Sequence, residues 1–279
     1  MKKLSLFLLG ILSIVYVNAQ TKMSCCTPSA TDQFAMNGNK SSFISFHDDP
    51  LPFAYESKTG HDITFKASDG KDAHGYFVPS ERPTNYYLLV IHEWWGLNDY
   101  VKQQCEKFST EFGLNVLALD LYDNKVATTK EDASKYMQQV NTDRALAIIK
   151  GAYTHVGDKA KVFTIGWCFG GGWSLQTAIE GGSQVAGCIM FYGQPETNID
   201  RLKKLNCDVL GLFATKDEWI NPKVVNEFKE NMEKAGKKLM VYSYNADHAF
   251  ANPSNPIYDK EATEDAYKKV DAFVRERMK

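Results

Sequence analysis

From Tyr86 onward the chain alternates short apolar runs with helical stretches, and no other feature narrows the available folds as much. The runs are Tyr86 to His92, Val116 to Leu121, Val162 to Trp167, Val185 to Tyr192, Val209 to Ala214 and Leu239 to Tyr244. Strands that are apolar on both faces must be covered on both faces, and a helix following each strand supplies the cover. Helical patterns run from about Asn98 to Phe112, from Lys130 to Tyr153 with a break near Asn141, from the glycines at 170, 171 and 172, and from Pro222 to Ala235. A last amphipathic helix, from about Ala262 to Met278, places Ala266, Val270, Phe273 and Val274 on one face. Upstream, Asp62 to Ser68 and Ala73 to Ser80 flank the turn Ser68-Asp69-Gly70-Lys71, which is a hairpin signal. The expected architecture is α/β, with a mostly parallel central sheet and helices on both faces. No solenoid-length repeat and no Gly/Ser linker divides residues 61–279, so they are expected to form one domain.

Bulk composition sets outer bounds. Of the 279 residues 44% are hydrophobic and 24% charged, an ordinary globular balance. A net charge of −2 offers no strong field for nucleic acid or an anionic membrane. The expected partner is a small-molecule substrate, and a monomer is the favoured state. The first residues obey a different rule. Lys2 and Lys3 precede an apolar run from Leu4 to Val17, and Val17-Asn18-Ala19 offers small residues at a cleavage site. Residues 1–19 are therefore read as a secretory leader that leaves Gln20 as the mature N-terminus. The run falls short of the roughly 20 residues of a spanning helix. Export to the periplasm or the medium, with no stable membrane span after cleavage, is the expectation. Residues 20–60 form a polar extension, and Gln20 to about Pro50 reads as a tail lying over the domain.

Cysteines lie at 25, 26, 105, 168, 188 and 207, without a dense framework or a C-x-x-C pair. Neither a disulfide scaffold nor a zinc ribbon is indicated, and no metal or cofactor is expected. Cys105 and Cys188 fall in apolar patterns and read as small buried hydrophobes. Cys168 has different neighbours.

Gly166-Trp167-Cys168-Phe169-Gly170 is G-x-C-x-G at a strand-to-helix junction. A nucleophile lifted onto so sharp a turn needs small residues two positions before and after it, and Gly166 and Gly170 meet that demand. The helix start behind Cys168 favours negative charge, which suits a thiolate. A glycine-rich anion-binding turn is the plainer alternative. The spacing fails G-x-G-x-x-G, because Cys168 stands where the second glycine would be, and it lacks a P-loop ending. An elbow of this kind expects an acid and then a histidine later in the chain. Asp217 follows the strand Val209 to Ala214, with Glu218 as the rival acid, and His248 follows the strand Leu239 to Tyr244. Each alone could be a turn or structural residue; together they stand in the expected order. The backbone N–H groups of Trp94 and Phe169 are the candidate oxyanion donors.

These segments resemble the dienelactone hydrolase family of α/β-hydrolases, from about Asp62 to Lys279. The likeness rests on Gly166-Trp167-Cys168-Phe169-Gly170-Gly171, Thr215-Lys216-Asp217, Asp247-His248-Ala249-Phe250, Glu93 in His92-Glu93-Trp94-Trp95-Gly96, and Asp120-Leu121-Tyr122. It implies an α/β-hydrolase fold and an ester or lactone hydrolase with a Cys168, His248 and Asp217 triad. It also implies that Glu93 contacts the resting cysteine and swings away when substrate binds. His92 is expected to be structural. One departure concerns specificity: family members acting on dienelactone carry an arginine four residues after the histidine, and here that residue is Asn252. Lys130 or Lys135 is the expected source of a second basic group. A thioesterase or acyltransferase on the same fold, and a catalytically silent binding protein, are the alternatives.

Overall fold

The computed structural model describes residues 28–279, so the expected leader and Cys25 and Cys26 lie outside the described residues. The chain begins there with α1 (Ala30–Ala35), a 3-10 turn (Met36–Asn39) and α2 (Ser41–Phe46). The antiparallel pair β1 (His61–Lys66) and β2 (Asp72–Val78) follows, in register His61 opposite Phe77. Next come β3 (Tyr86–Ile91), α3 (Asp99–Phe112), β4 (Asn115–Leu119), α4 (Lys130–Gln138), α5 (Thr142–Val156), β5 (Lys161–Trp167) and α6 (Phe169–Glu180). The chain closes with β6 (Val185–Phe191), α7 (Ile199–Leu202), β7 (Val209–Ala214), α8 (Pro222–Lys234), β8 (Leu239–Tyr244) and α9 (Lys260–Arg277).

Local chemistry fixes several of these boundaries. Asn98, Thr129, Asn141 and Asp259 each accept a hydrogen bond from a first-turn N–H of α3, α4, α5 and α9. The Asn141 cap is why the helical stretch after Lys130 breaks where it does. Gly113 ends α3 at φ 68°, a left-handed conformation that costs glycine little.

The sheet has eight strands in the order β1-β2-β4-β3-β5-β6-β7-β8, parallel from β4 to β8. β5 and β7 are buried over almost their whole length, as two-sided cover requires. The chain moves outward from β3 to β4 and then crosses back to β5. Such a reversal opens a crevice at the carboxyl ends of the strands involved, where open α/β sheets bind ligands. Cys168 and Glu93 both sit at that edge.

The polar N-terminal extension is more than a surface tail. Phe34 and Phe43 are buried within the core, each worth about 1.5–3 kcal/mol in transfer terms. Polar ties hold the same segment to its neighbours: Thr142 donates to Asp32, Ser134 to the Gly38 carbonyl, and the Lys130 N–H to Asp49. Among the described residues no helix is long and apolar enough to cross a membrane.

Candidate active site

Cys168 stands between the last residue of β5 and the first of α6, at φ 55° and ψ −120°. A side chain at positive φ is strained and persists only when its surroundings impose it. The glycines impose it here. A Cβ on Gly166 would lie 2.0 Å from the Gly170 carbonyl oxygen, and one on Gly170 would lie 2.3 Å from that of Ile91. No side chain fits either place, so the turn can be this tight only with glycine at both.

The two residues expected to follow in order reach the same point. His248 donates from Nδ1 to Asp217 Oδ2 at 2.6 Å, and its Nε2 faces Cys168 Sγ at 3.2 Å. The other Asp217 oxygen accepts from the Trp219 and Ile220 N–H groups, both at 2.8 Å, which fixes the carboxylate plane. Cys168, His248 and Asp217 are all buried. Glu218, the rival acid, is exposed. Burial opposes charge on His248, but the Asp217 carboxylate and the Cys168 sulfur outweigh it and raise the imidazole to about 10. Burial raises the Cys168 thiol, the neighbouring Glu93 adds to that rise, and His248 and the Phe169 N–H oppose it. Asp217 is held below the usual carboxylate range despite its burial, chiefly by His248.

Glu93 lies in the loop after β3 and accepts from Asn252 Nδ2 at 2.7 Å. Burial pushes its carboxyl up to about 7, against the pull of His248 and Asn252. Glu93 also lines a cavity with Trp95, Lys107, Trp167, Asn252 and Tyr267, and Cys168 is not in its wall. Two expectations change here. Asn252 is bonded to Glu93, so an arginine at 252 would pair with that carboxylate before it met a substrate anion. The cation in the cavity wall is Lys107 of α3; neither Lys130 nor Lys135 lines it. His92 has both ring nitrogens engaged by backbone: its Nδ1 donates to the Glu93 carbonyl and its Nε2 accepts from the Leu121 N–H. Asp120 accepts from the N–H groups of Tyr122 and Asn124 and so shapes the next turn.

The raised Glu93 pKa makes stability depend on pH with a definite sign. The folded state binds this proton more tightly than the unfolded chain, whose pKa is near 4.5. The contribution is therefore most favourable below about 4.5 and is lost as pH rises through about 7. Glu93→Gln should remove that loss, gaining about 1–3 kcal/mol on wild type between pH 4.5 and 8 once partial exposure is discounted. Urea denaturation of both proteins across that range checks it. A stability difference that does not change with pH would contradict a raised Glu93 pKa.

The N-terminal segment forms one wall of the site, and sequence reasoning missed this. Ring centroids of Phe34, Phe43 and His47 lie 6.2, 6.3 and 5.7 Å from that of His248, with Trp219 at 5.4 Å. His47 Nδ1 lies 2.7 Å from the Phe43 carbonyl oxygen, and its buried Nε2 has no partner. Burial, with His248 nearby, lowers the His47 pKa to about 3. No motif in Ser45-Phe46-His47-Asp48-Asp49 marks this histidine. Phe34 and Phe43, apolar residues in an otherwise polar stretch, were the available hint that the segment enters the core.

Residues 74–278 match the dienelactone hydrolase family. Among curated proteins, the chain is 30% identical over 205 residues to "Protein usf" of Aquifex pyrophilus, covering 68% of this chain and 88% of that one. It is 28% identical over 258 residues to a Saccharolobus solfataricus protein provisionally named a carboxymethylenebutenolidase, covering 76% and 96%. Among solved structures, a dienelactone hydrolase-like promiscuous phosphotriesterase from metagenomic libraries superposes with a TM-score of 0.66 at 22% identity, over 78% of this chain and 99% of that one.

Proposed function

The chain belongs to the dienelactone hydrolase family and is an ester or lactone hydrolase, and we propose that it works through a Cys168, His248 and Asp217 triad. The observation that carries this reading is the continuous hydrogen-bonded line from Cys168 Sγ through His248 to Asp217, set on a strained elbow.

His248 Nε2 takes the thiol proton, and the Cys168 thiolate attacks the acyl carbonyl. Asp217 holds the imidazole with Nδ1 protonated and stabilises the cation that forms. The Phe169 and Trp94 N–H groups receive the developing oxyanion. Collapse of the tetrahedral intermediate breaks the C–O bond, and His248 returns its proton to the leaving oxygen. Water, deprotonated by His248, then hydrolyses the thioester, releasing the acid and restoring the thiol. An ester or lactone oxygen leaves with little help, whereas a peptide nitrogen would demand more of His248. Glu93 lines the cavity and Cys168 does not, which fits a glutamate that must move aside before substrate reaches the sulfur.

With Asn252 engaged by Glu93 and an exposed Lys107 as the cation of the cavity wall, neutral esters and lactones should turn over better than carboxylate-bearing lactones. An exposed pair with Lys107 is worth at most about 1 kcal/mol. Comparing kcat/KM for dienelactone and its methyl ester on the mature protein tests this. A strong preference for the free acid would show that an anion site exists elsewhere. We further propose that the protein is exported, on the strength of the leader layout in residues 1–19. N-terminal sequencing of the secreted or periplasmic form should begin at Gln20, and an intact Met1 would count against cleavage.

A further inference from the structure

His47 places a third donor beside the proposed nucleophile and base. Sγ of Cys168, a ring nitrogen of His248 and a ring nitrogen of His47 all lie within 4.8 Å of one another. All three residues are buried. We propose that Cys168, His248 and His47 bind one zinc(II) ion, and that its arrival switches the hydrolase off by engaging nucleophile and base together. The inhibitory half of this proposal rests on the triad reading; the binding half does not.

The supporting groups around the two histidines carry the inference. Histidines that bind metal through Nε2 almost always donate Nδ1–H to a carboxylate or a backbone carbonyl, which fixes the tautomer and aims the lone pair. His248 does this with Asp217 at 2.6 Å, and His47 is placed to do it with the Phe43 carbonyl at 2.7 Å. His47 Nε2 is then an acceptor with nothing to accept, buried on a ring that brings one of its nitrogens within 4.8 Å of the other two donors. Leaving such a buried atom unpaired is costly, and a ligand would recover that cost.

Dimensions agree after a small shift. Zinc–sulfur and zinc–nitrogen bonds of about 2.3 and 2.0–2.1 Å set tetrahedral donors roughly 3.3–3.6 Å apart. Cys168 Sγ and His248 Nε2 already stand at 3.2 Å. The His47 ring nitrogen lies within 4.8 Å of both, and any closure it needs is open to it, because it sits just beyond α2 in the N-terminal segment, outside the sheet. One thiolate and two imidazoles suit zinc(II) or copper(I) far better than magnesium or calcium. Binding displaces the Cys168 thiol proton to solvent, and the fourth coordination position is left to water.

The test uses the mature full chain stripped with EDTA. Zn2+ is titrated against a chromophoric chelator, and Co2+ is added separately to look for a thiolate-to-cobalt charge-transfer band in the near ultraviolet. The expected result is one tightly bound equivalent, a cobalt band that Cys168→Ala abolishes, and protection of Cys168 from iodoacetamide. Zn2+ should also stop ester turnover, and EDTA should restore it. His47→Gln should weaken Zn2+ binding, and with it inhibition, by at least about 10–100-fold, the loss that follows even from removing an outer-shell partner. Absence of the cobalt band in wild type, or equal Zn2+ affinity in wild type and His47→Gln, would overturn the proposal. The wild-type cobalt spectrum decides the matter even if His47→Gln disturbs the fold. Neither binding readout needs substrate, so a failed metal site and a failed triad give different results.

Discussion

Cys168→Ala is expected to abolish ester hydrolysis, with a loss in kcat on the order of 10⁶-fold, the scale seen when a triad nucleophile is removed. The fold should survive. Alanine meets the same strain at φ 55° as cysteine does, and Gly166 and Gly170, which permit the turn, are untouched. Circular dichroism and thermal melting establish that folding is intact, and turnover of a chromogenic ester then reads the chemistry. Cys168→Ser should keep weak activity, because an alcohol lies much further from ionisation than a thiol and the site is arranged around sulfur. A folded Cys168→Ala protein with near-normal turnover would remove the nucleophile from this account.

Asp217→Asn should be the second most damaging change, lowering kcat on the order of 10⁴-fold. An asparagine amide can present its N–H₂ to His248 Nδ1, which stabilises the tautomer with the proton on Nε2. That proton then blocks acceptance from Cys168. Loss of the carboxylate also removes the main attraction that raises the imidazole, leaving only the Cys168 sulfur to oppose the effect of burial. Glu218→Gln should be nearly silent, since that side chain is exposed and it is Asp217 Oδ2 that accepts from the histidine. A large loss in Glu218→Gln with normal turnover in Asp217→Asn would reassign the acid.

Much of this was legible in the sequence because it follows from short-range rules. Strands Val209–Ala214 and Leu239–Tyr244 coincide with their apolar runs: the first is buried on both faces and can carry little else, while the second, half-buried to exposed at the sheet edge, is marked by Leu239, Met240 and Val241. The elbow was readable because only glycine clears the backbone on either side of Cys168. What stayed hidden depends on long-range packing. Phe34 and Phe43 lie in two one-turn helices whose other residues are largely polar, so no periodic stripe announces their burial. α7 is a single turn capped by Asn198 and too short to show a helical period. The cavity cation was misplaced for a similar reason. Lys107, Lys130 and Lys135 all lie on helices, and only the return of residues 251–254 to the cavity that α3 also lines decides which of them shares its wall with Glu93.

Trapping the acyl-enzyme tests the central claim most directly. The protein is mixed with a rapidly acylating chromogenic ester, quenched in acid within the first turnover, digested and mapped by mass spectrometry. The expected result is one acyl group on the peptide containing Cys168, released by hydroxylamine as a thioester should be, and absent when Cys168 is alanine or blocked by iodoacetamide. An acyl group on another residue, or full turnover after Cys168 has been blocked, would contradict catalysis by this cysteine.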